Sequence, residues 1–355
     1  MEIVFSKDKL WLDKWDSYVI NEDRGSHLLL SDWNKSFYSY GFDFEIGILL
    51  DNDKIIGGFA AVIAKAFVFK FYIIPYGPIV SLGYEECLNE LIEATNTRAK
   101  YHKTCYCHIN IPITETQNLH TLSAIDNLSS LKSAQKGHVF KYVYSTNGLN
   151  WVDLKSYNEE SKLNSLKSSV RRDIRSSYRK DLQFEIIETN QQIEEAYRLY
   201  LENAKSANYS IRDWNDIKTT LFELQKKNVL KILVVRKENQ IKGSILLIKS
   251  GNYYTYILGG TKREKPDLLA GHFLQWEAIK LSLNENHSGY NISLGGSKGV
   301  FEFKNSFNTE QFYFKGGQYH WVINSNYFKL YQMLEKHLKK KKKKISSLLK
   351  FLKRK

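Results

Sequence analysis

Two stretches of the chain share one pattern of apolar and polar positions. Residues 49–65, LLDNDKIIGGFAAVIAK, and residues 234–250, VVRKENQIKGSILLIKS, each place an apolar run before a polar turn and a second apolar run after it. A glycine, Gly57 or Gly243, stands near the start of each second run. Short apolar runs around a polar turn are typical of β-hairpins. The pattern therefore predicts one hairpin used twice, about 186 residues apart.

The segments after the two hairpins also correspond to each other. Each hairpin is followed by an apolar strand, a helical pattern and a further strand; the predicted helices cover residues 84–103 and 267–284. A repeat with so long a period indicates a duplicated domain rather than a solenoid. We expect an α/β fold of the mixed α+β kind, with a twisted mixed sheet flanked by helices in each half. The predicted divisions are domains at residues 1–148 and 149–325 and a basic tail at residues 326–355.

The segment between the two halves predicts an amphipathic helix with a basic stripe. Apolar residues from Leu163 to Ile174 recur at helical spacing, and Ser156 with Glu159 fits a capping box. Four cations follow at intervals of four residues: Lys167, Arg171, Arg175 and Arg179. Such a stripe is either a solvated helix face or a track for a polyanion such as RNA.

The charge of the chain is concentrated at its end. The formal net charge of 355 residues is +14, but eleven Lys or Arg and no acid lie in residues 336–355, which leaves +3 for the rest. Apolar residues and cations are interspersed from Ile345 onward, a pattern typical of a basic amphipathic segment that binds an anionic leaflet. We predict peripheral membrane contact through residues 336–355 and no DNA partner.

The N-terminus, the most apolar region and the cysteines predict a cytoplasmic protein. Through its tail, the protein is expected to contact the inner leaflet of the cell membrane. The N-terminus lacks a basic start followed by an apolar core, and prolines, glycines and lysines interrupt the most apolar region, residues 55–80. The three cysteines predict free thiols in a reducing compartment, with Cys105 and Cys107 on one face of a strand. No metal site is predicted.

The segment SLGGSKGVFEFKNSF, residues 293–307, has the strongest chemical signal. It lacks the spacing of a phosphate-binding loop or a dinucleotide fingerprint. The glycines predict a turn at the end of a strand, followed by a loop and a strand that carry Lys304 beside Phe303. Because no nucleophile motif accompanies this lysine, the chemistry is expected to depend on positioning and electrostatics.

Four motifs resemble those of one family. YIIPYGPIV (residues 72–80), SSVRRDIRSS (168–177), LLAGHFLQWEAIK (268–280) and LGGSKGVFEFKNSF (294–307) occur in the order found in FemAB-type peptidoglycan-bridge aminoacyltransferases. The chain is also similar to GNAT-like acyltransferases of polysaccharide gene clusters. The resemblance covers about residues 1–325 and implies two tandem GNAT-like domains, in agreement with the duplication.

The resemblance also implies roles for individual residues. Lys304 matches the lysine that stabilises the oxyanion of a tetrahedral intermediate, and Arg212 matches an arginine that binds the diphosphate of the precursor. Arg171 and Arg175 match a basic motif directed at tRNA. The further substrate contacts that it implies are Tyr254, Tyr256, Tyr76, Gly295, Gly296 and Phe303. Alternating tyrosines such as Tyr254 and Tyr256 are equally typical of a buried core.

The resemblance implies that the protein transfers an acyl or aminoacyl group to an amine of a lipid-linked or UDP-linked envelope precursor. The transfer would form no covalent intermediate with the enzyme. The donor would be aminoacyl-tRNA or acyl-CoA as a co-substrate, with no permanently bound cofactor. Two alternatives remain open. One is an N-acetyltransferase that uses an acyl-thioester donor in polysaccharide biosynthesis, and the other is a noncatalytic protein that binds RNA or a membrane.

Overall fold

The structure, a computed structural model, describes residues 1–115, 120–123, 128–137 and 143–339. The strands are β1 (Glu2–Ser6), β2 (Asp43–Asp51), β3 (Lys54–Ala66), β4 (Phe69–Ile74), β5 (Ile79–Val80), β6 (Tyr106–Asn110), β7 (Ile113–Thr114), β8 (Leu122–Ser123), β9 (Gln135–Lys136), β10 (Gly148–Asp153), β11 (Gln183–Ile187), β12 (Leu230–Lys237), β13 (Gln240–Ser250), β14 (Tyr253–Thr261), β15 (Gly289–Asn291), β16 (Glu310–Tyr313) and β17 (Gln318–Val322). The helices are α1 (Lys9–Asn21), α2 (Ser31–Lys35), α3 (Leu88–Tyr101), α4 (Glu159–Ser165), α5 (Ser168–Ser177), α6 (Asn190–Ser206), α7 (Trp214–Lys226), α8 (Ala270–Asn284), α9 (Lys298–Asn305) and α10 (Ser325–Lys339).

The two predicted hairpins are present, and they share an irregularity. The β2–β3 turn has two residues with positive φ, Asn52 and Asp53, and the β12–β13 turn has Glu238 and Asn239. In both hairpins a bulge adds one residue to the second strand, immediately before the glycine that the two patterns share. Equal turns and equal bulges at the same offset confirm the predicted duplication.

Each half contributes one mixed sheet. The first sheet has the order β1-β2-β3-β4-β6-β17-β9, and the second has the order β11-β12-β13-β14-β15-β10-β16. The pairs β4–β6 and β14–β15 are parallel, and most other neighbours are antiparallel. Helices cover the sheets, as α8 covers β12 to β15 in the second half. The predicted α/β fold with two mixed sheets is confirmed.

One strand of the second half belongs to the first sheet. Gly148–Asp153, at the start of the second half, pairs with β15 in the second sheet, whereas Gln318–Val322, near the end of the second half, returns to pair with β6 in the first sheet. The predicted second domain, residues 149–325, therefore differs from the structure at its C-terminal end. Because strand pairing joins residues far apart in the chain, the local pattern did not indicate this crossing of β17.

The predicted tail at residues 326–355 begins with a helix instead. In α10, Phe328 stacks on Tyr106 with 4.9 Å between ring centroids, and Tyr331 packs edge-on against Phe71 at 4.7 Å. Both side chains are buried in the first half. Residues 340–355 of the predicted tail lie outside the described part of the chain.

The halves also share one hydrophobic core and a polar interface. A single cluster of buried side chains contains Trp15 and Val19 from the first half and Tyr197 and Leu230 from the second. Beside it, the Lys227 ammonium lies 2.8 Å from an Asp16 carboxylate oxygen and 2.6 Å from one of Asp32. These contacts across the halves, together with the pairing of β17 in the first sheet, hold the two sheets in one arrangement.

The predicted basic helix is wrong in its length. Leu166 and Lys167 are extended, so the segment forms two helices, α4 and α5, and the four cations do not lie on one continuous face. The capping box of α4 uses Asn158 and Ser161 rather than Ser156, which has a φ of +62°. The helix predicted over residues 267–284 begins at Ala270.

Two of the three cysteines lie on different sides of the first sheet. Cys107 packs in the cluster under α3, and Cys105 precedes β6 and packs in the cluster under α10. The expectation that they share one face is wrong because Cys105 lies outside the regular strand. All three thiols are free and buried.

Candidate functional site

The second sheet opens between β14 and β15. These parallel strands pair through Tyr254 with Tyr290 and Thr255 with Asn291. Beyond these pairs, β14 continues to Thr261 on β13 alone, while the chain after Asn291 turns away. Residues 253–255 are buried, whereas residues 256–259 are half-exposed. The separation therefore leaves one edge of β14 accessible to a ligand, with backbone groups that could bind an extended chain.

The first sheet is closed at the equivalent place. The pairing of β4 with β6 covers four residue pairs, and Gly77 forms a further bridge to Asn110. The Asn110 amide nitrogen then donates to the Pro75 carbonyl oxygen at 3.1 Å and to that of Thr146 at 2.6 Å. The opening between parallel strands is therefore present in the second half and closed in the first.

A glycine turn and a short helix border the opening. Gly295 and Gly296 have φ values of +96° and +114°, which side chains with a Cβ rarely adopt. The turn leads into α9, which contradicts the expected loop and strand. Val300, Phe303, Lys304 and Phe307 recur at helical spacing, and this short-range pattern was obscured by the alternating letters of FEFK.

Helix α9 buries the Lys304 side chain. Only 5% of its surface is exposed. Its Nζ donates to the Ser293 carbonyl oxygen at 3.2 Å, to the Ser293 hydroxyl at 3.1 Å and to the Gly295 carbonyl oxygen at 3.2 Å. It also lies 5.1 Å from the centroid of the Tyr256 ring, within the range of a cation–π contact. The acceptors are neutral, and none of the described carboxylates forms an ion pair with this lysine.

This environment lowers the pKa of Lys304 to about 8, because burial disfavours the charged ammonium. At pH 7 the amine is still about nine-tenths protonated. The site therefore holds a positive charge that neutral oxygens solvate but do not neutralise. A substrate oxygen that becomes negative during a reaction would replace one of these neutral acceptors. The Lys304 ammonium would then donate a stronger, charge-assisted hydrogen bond to that oxygen.

Three asparagines fix the turn and the helix to the sheet. The Asn291 side-chain oxygen accepts from the backbone N–H groups of Asn150, at 3.1 Å, and Ser293, at 3.0 Å. The Asn150 amide nitrogen donates to the Asn305 side-chain oxygen at 3.1 Å. The network joins β10, β15 and α9, so it positions both Ser293 and the residue next to Lys304.

The structure brings four predicted residues together around the lysine. Tyr256 lies under its ammonium, and the Gly295 carbonyl accepts from it. Gly296 completes the turn. Phe303, also on α9, packs edge-on against His272 at 5.0 Å and helps to hold the helix on α8.

Two of the predicted tyrosines are not at the opening. Tyr254 is fully buried, and its hydroxyl donates to the Glu285 carboxylate at 3.0 Å. Of the two interpretations of the alternating tyrosines, a buried core therefore applies to Tyr254. Tyr76 is also fully buried, with its ring 5.8 Å from that of Phe314. The expected substrate contact for Tyr76 is wrong in this structure because the core shared by the two halves encloses its side chain.

Arg212 lies between the two halves rather than beside Lys304. Its guanidinium contacts the rings of Trp33 at 5.1 Å, Phe37 at 4.4 Å and Tyr40 at 5.9 Å, and it donates to the Ser36 hydroxyl. Burial lowers its pKa. Within the described part of the chain no carboxylate forms an ion pair with it, so its charge is available to an anion.

The two arginines predicted to face tRNA differ in their surroundings. Arg171 donates to the carbonyl oxygens of Asn164 and Leu166 and so satisfies the end of α4. Arg175 is exposed. A continuous basic track is therefore absent from the described residues 159–179.

Ser293 and the three asparagines are residues of the candidate site that sequence reasoning missed. Ser293 supplies two of the three acceptors of Lys304 and has a φ of +62°. Its position before two glycines was the available signal. No local sequence signal marked Asn150, because it lies more than 140 residues from Asn291 and Asn305 in the chain.

Within the described ranges, no helix is long and apolar enough to cross a membrane. The same residues contain no group of three or more His, Cys, Asp or Glu side chains placed to hold a metal ion.

Comparison with known proteins finds a family match within the second half. Residues 164–305 match the family model described as acetyltransferase (GNAT) domain. Over these residues the chain is similar to GNAT domains. The matched range contains β14, β15 and α9, so the opening and Lys304 lie within it, and the prediction of an acyltransferase is confirmed at this level. Comparison of the sequence with curated proteins finds no significant match.

Solved structures extend the similarity to almost the whole chain. FemX is similar with a TM-score of 0.77 and 15% identity, over 93% of this chain and 99% of that chain. The C-terminal domain (DUF2156) of a putative lysylphosphatidylglycerol synthetase from Agrobacterium fabrum has a TM-score of 0.54 and 14% identity, over 92% and 95%. A tandem GNAT protein from the clavulanic acid biosynthesis pathway has a TM-score of 0.50 and 9% identity, over 90% and 98%. The predicted resemblance to FemAB-type and tandem GNAT proteins is confirmed as a shared fold.

The lowered pKa of Lys304 predicts a pH-dependent stability. The folded value of about 8 lies below the ordinary value of about 10.4, so the unfolded chain binds more protons between these values. The unfolding free energy of the wild type, relative to Lys304→Met, should therefore rise by up to about 3 kcal/mol between pH 8 and about pH 10. Denaturant titrations at several pH values measure this difference.

Lys298→Met, an exposed substitution on the same helix, serves as the control for loss of a charge. A difference between wild type and Lys304→Met that stays flat over this interval would contradict the burial of the ammonium.

Proposed function

We propose that this protein transfers an aminoacyl group from a charged tRNA to an amine of a cell-envelope precursor, at the opening between β14 and β15. The supporting observation is the protonated Lys304, buried beside that opening without a carboxylate partner. The fold shared with FemX and with the lysylphosphatidylglycerol synthetase domain favours an aminoacyl donor and an envelope acceptor.

The chemistry requires no covalent enzyme intermediate. The acceptor amine attacks the carbonyl carbon of the aminoacyl ester, a C–N bond forms and the carbonyl oxygen becomes negative. When the tetrahedral intermediate collapses, the C–O bond to the tRNA ribose breaks, and the amine proton leaves to the ribose oxygen or to water. The Lys304 ammonium stabilises the negative oxygen, and a donor in this role contributes about 3 kcal/mol to the transition state.

Arg212 is proposed to bind a phosphate of the acceptor. A half-buried guanidinium without a carboxylate partner suits the diphosphate of a lipid-linked or UDP-linked precursor. Contact with an anionic membrane through residues 336–355 would place the protein near a lipid-linked acceptor. Residues 340–355 of this segment lie outside the described part of the chain.

One other donor is supported by a specific observation. The domain model that matches residues 164–305 is described as acetyltransferase, which favours acyl-CoA and an N-acyltransferase reaction on a polysaccharide precursor. The same lysine would then stabilise the oxyanion formed from a thioester. A noncatalytic RNA-binding function has less support, because Lys167, Arg171, Arg175 and Arg179 do not form a continuous track.

Lys304→Met should lower the rate of transfer about 100-fold or more while the protein remains folded, because the oxyanion loses its charged donor. The assay follows amide formation on an amine-bearing UDP-linked or lipid-linked precursor, with aminoacyl-tRNA and acyl-CoA offered separately. Lys298→Met, exposed on the same helix, is the matched control and should retain wild-type activity.

The two donors distinguish the alternatives. Turnover with aminoacyl-tRNA supports the proposed function, and turnover with acyl-CoA alone supports the N-acyltransferase. Full activity of Lys304→Met with its productive donor would show that the lysine does not stabilise the intermediate.

Arg212→Lys should raise the KM for a diphosphate-bearing acceptor about tenfold and change kcat little, because lysine keeps the charge but loses the paired N–H donors. Arg198→Lys on α6, where Arg198 is exposed and pairs with Glu194, is the control. With an acceptor that lacks the diphosphate, Arg212→Lys and the wild type should have equal KM values. An equal increase for both acceptors would indicate a structural role for Arg212 instead.

A further inference from the structure

The turn between β3 and β4 exposes two adjacent apolar side chains. Phe67 is 71% exposed and Val68 is 74% exposed. Phe67 also has a φ of +56°, at a two-residue turn where glycine, asparagine or aspartate is favoured. A bulky apolar residue in this conformation is an outlier that folding itself does not explain.

Helix α10 adds a second exposed apolar surface beside this turn. While Phe328 and Tyr331 pack on the sheet, a neighbouring stripe of the helix remains exposed. The stripe consists of Tyr327, Leu330, Met333 and Leu334. The Tyr327 ring lies 6.0 Å from that of Phe69, the residue that directly follows the turn. We call Phe67, Val68 and the four residues of this stripe the docking face.

Lysines surround the docking face. Lys70 and Lys103 line a shallow depression together with Val68 and Tyr327. Lys65 and Lys329 are exposed beside them on β3 and α10. Glu335, the acidic residue of α10, is partly buried and lies toward the packed side of the helix. The sequence that follows α10 adds nine further Lys or Arg in residues 340–355 and no acid.

Apolar side chains at the centre and cations at the rim match the surface of an anionic bilayer. Such side chains enter the headgroup boundary, and lysines attract anionic lipid phosphates. RNA would use the lysines but would leave Val68, Leu330, Met333 and Leu334 exposed to water. We propose that the docking face seats the protein on an anionic phospholipid membrane. This proposal is independent of the acyl group that the enzyme transfers.

Vesicle sedimentation with the full chain tests this proposal. The full chain should bind phosphatidylcholine vesicles that contain phosphatidylglycerol, and bind pure phosphatidylcholine vesicles weakly. Phe67→Asn combined with Val68→Ser suits the turn and preserves the fold. This double variant should lower the partition coefficient for the anionic vesicles about tenfold. Its transfer rate with a soluble acceptor should stay at the wild-type value.

Leu82→Ser is the matched control. Leu82 is 65% exposed but follows β5, which pairs with Gly57 and Gly58 at the other end of β3, roughly 30 Å from the turn. This control should bind vesicles as the wild type does.

Three results would overturn the proposal. Equal vesicle binding by the double variant and the wild type would assign membrane contact to residues 336–355 alone. Loss of tRNA binding with unchanged vesicle binding would assign the face to RNA. A dimeric wild type that becomes monomeric in the double variant, with vesicle binding unchanged, would assign it to a second copy of this chain.

Discussion

The short pairing of β14 with β15 is the constraint that leaves an open strand edge beside Lys304, where we propose that the chemistry occurs. After two residue pairs the strands separate, and this separation requires the following chain to turn sharply. Gly295 and Gly296 make that turn, and α9 then returns Lys304 toward the exposed edge of β14. If the pairing continued, as it does in the first sheet, the lysine would have no space beside an accessible strand.

Burial of a lysine without a carboxylate costs free energy, and the surrounding structure compensates for part of this cost. Two carbonyl oxygens, one hydroxyl and one aromatic ring solvate the ammonium. A carboxylate would stabilise the native state more strongly, but it would neutralise the charge that the proposed mechanism requires for a developing oxyanion. The arrangement resembles other sites where preorganised donors are kept available for charge that appears only in the transition state.

The first half is closed at the equivalent place between its parallel strands, but it supports the candidate site in the second half. Its equivalent opening is closed by Gly77 and Asn110, and its helices contribute to the shared core and to the aromatic contacts of Arg212. Strand β17 of the second half pairs with β6 of the first sheet and so joins the halves. Asn150 on β10, the strand that directly follows the first half, anchors the network that positions Ser293.

Local patterns predicted the parts of the fold that depend on neighbouring residues. The hairpins at Gly57 and Gly243 and the helix over residues 267–284 were visible as apolar periods, with an error of three residues at the start of the helix. Lys304 was identified because a resemblance accompanied the glycine turn. The two helices at residues 159–177 were read as one, because the apolar spacing continues across the extended residues Leu166 and Lys167.

Features that depend on distant residues were not predictable in this way. The pairing of Gln318–Val322 with the first sheet, the enclosure of Tyr76 and the contacts among Asn150, Asn291 and Asn305 all join segments far apart in the chain. Periodicity carries no information about such contacts. The surroundings of Arg212 belong to the same class, since its aromatic partners come from the other half.

A structure with a tetrahedral mimic of the transfer intermediate, such as a phosphonamidate that joins acceptor and acyl group, tests directly whether Lys304 stabilises the oxyanion. We expect the mimic to lie between β14 and β15, with a negative oxygen about 3 Å from Lys304 Nζ in place of one neutral acceptor. A mimic bound elsewhere, with Lys304 still donating to Ser293 and Gly295 alone, would contradict it.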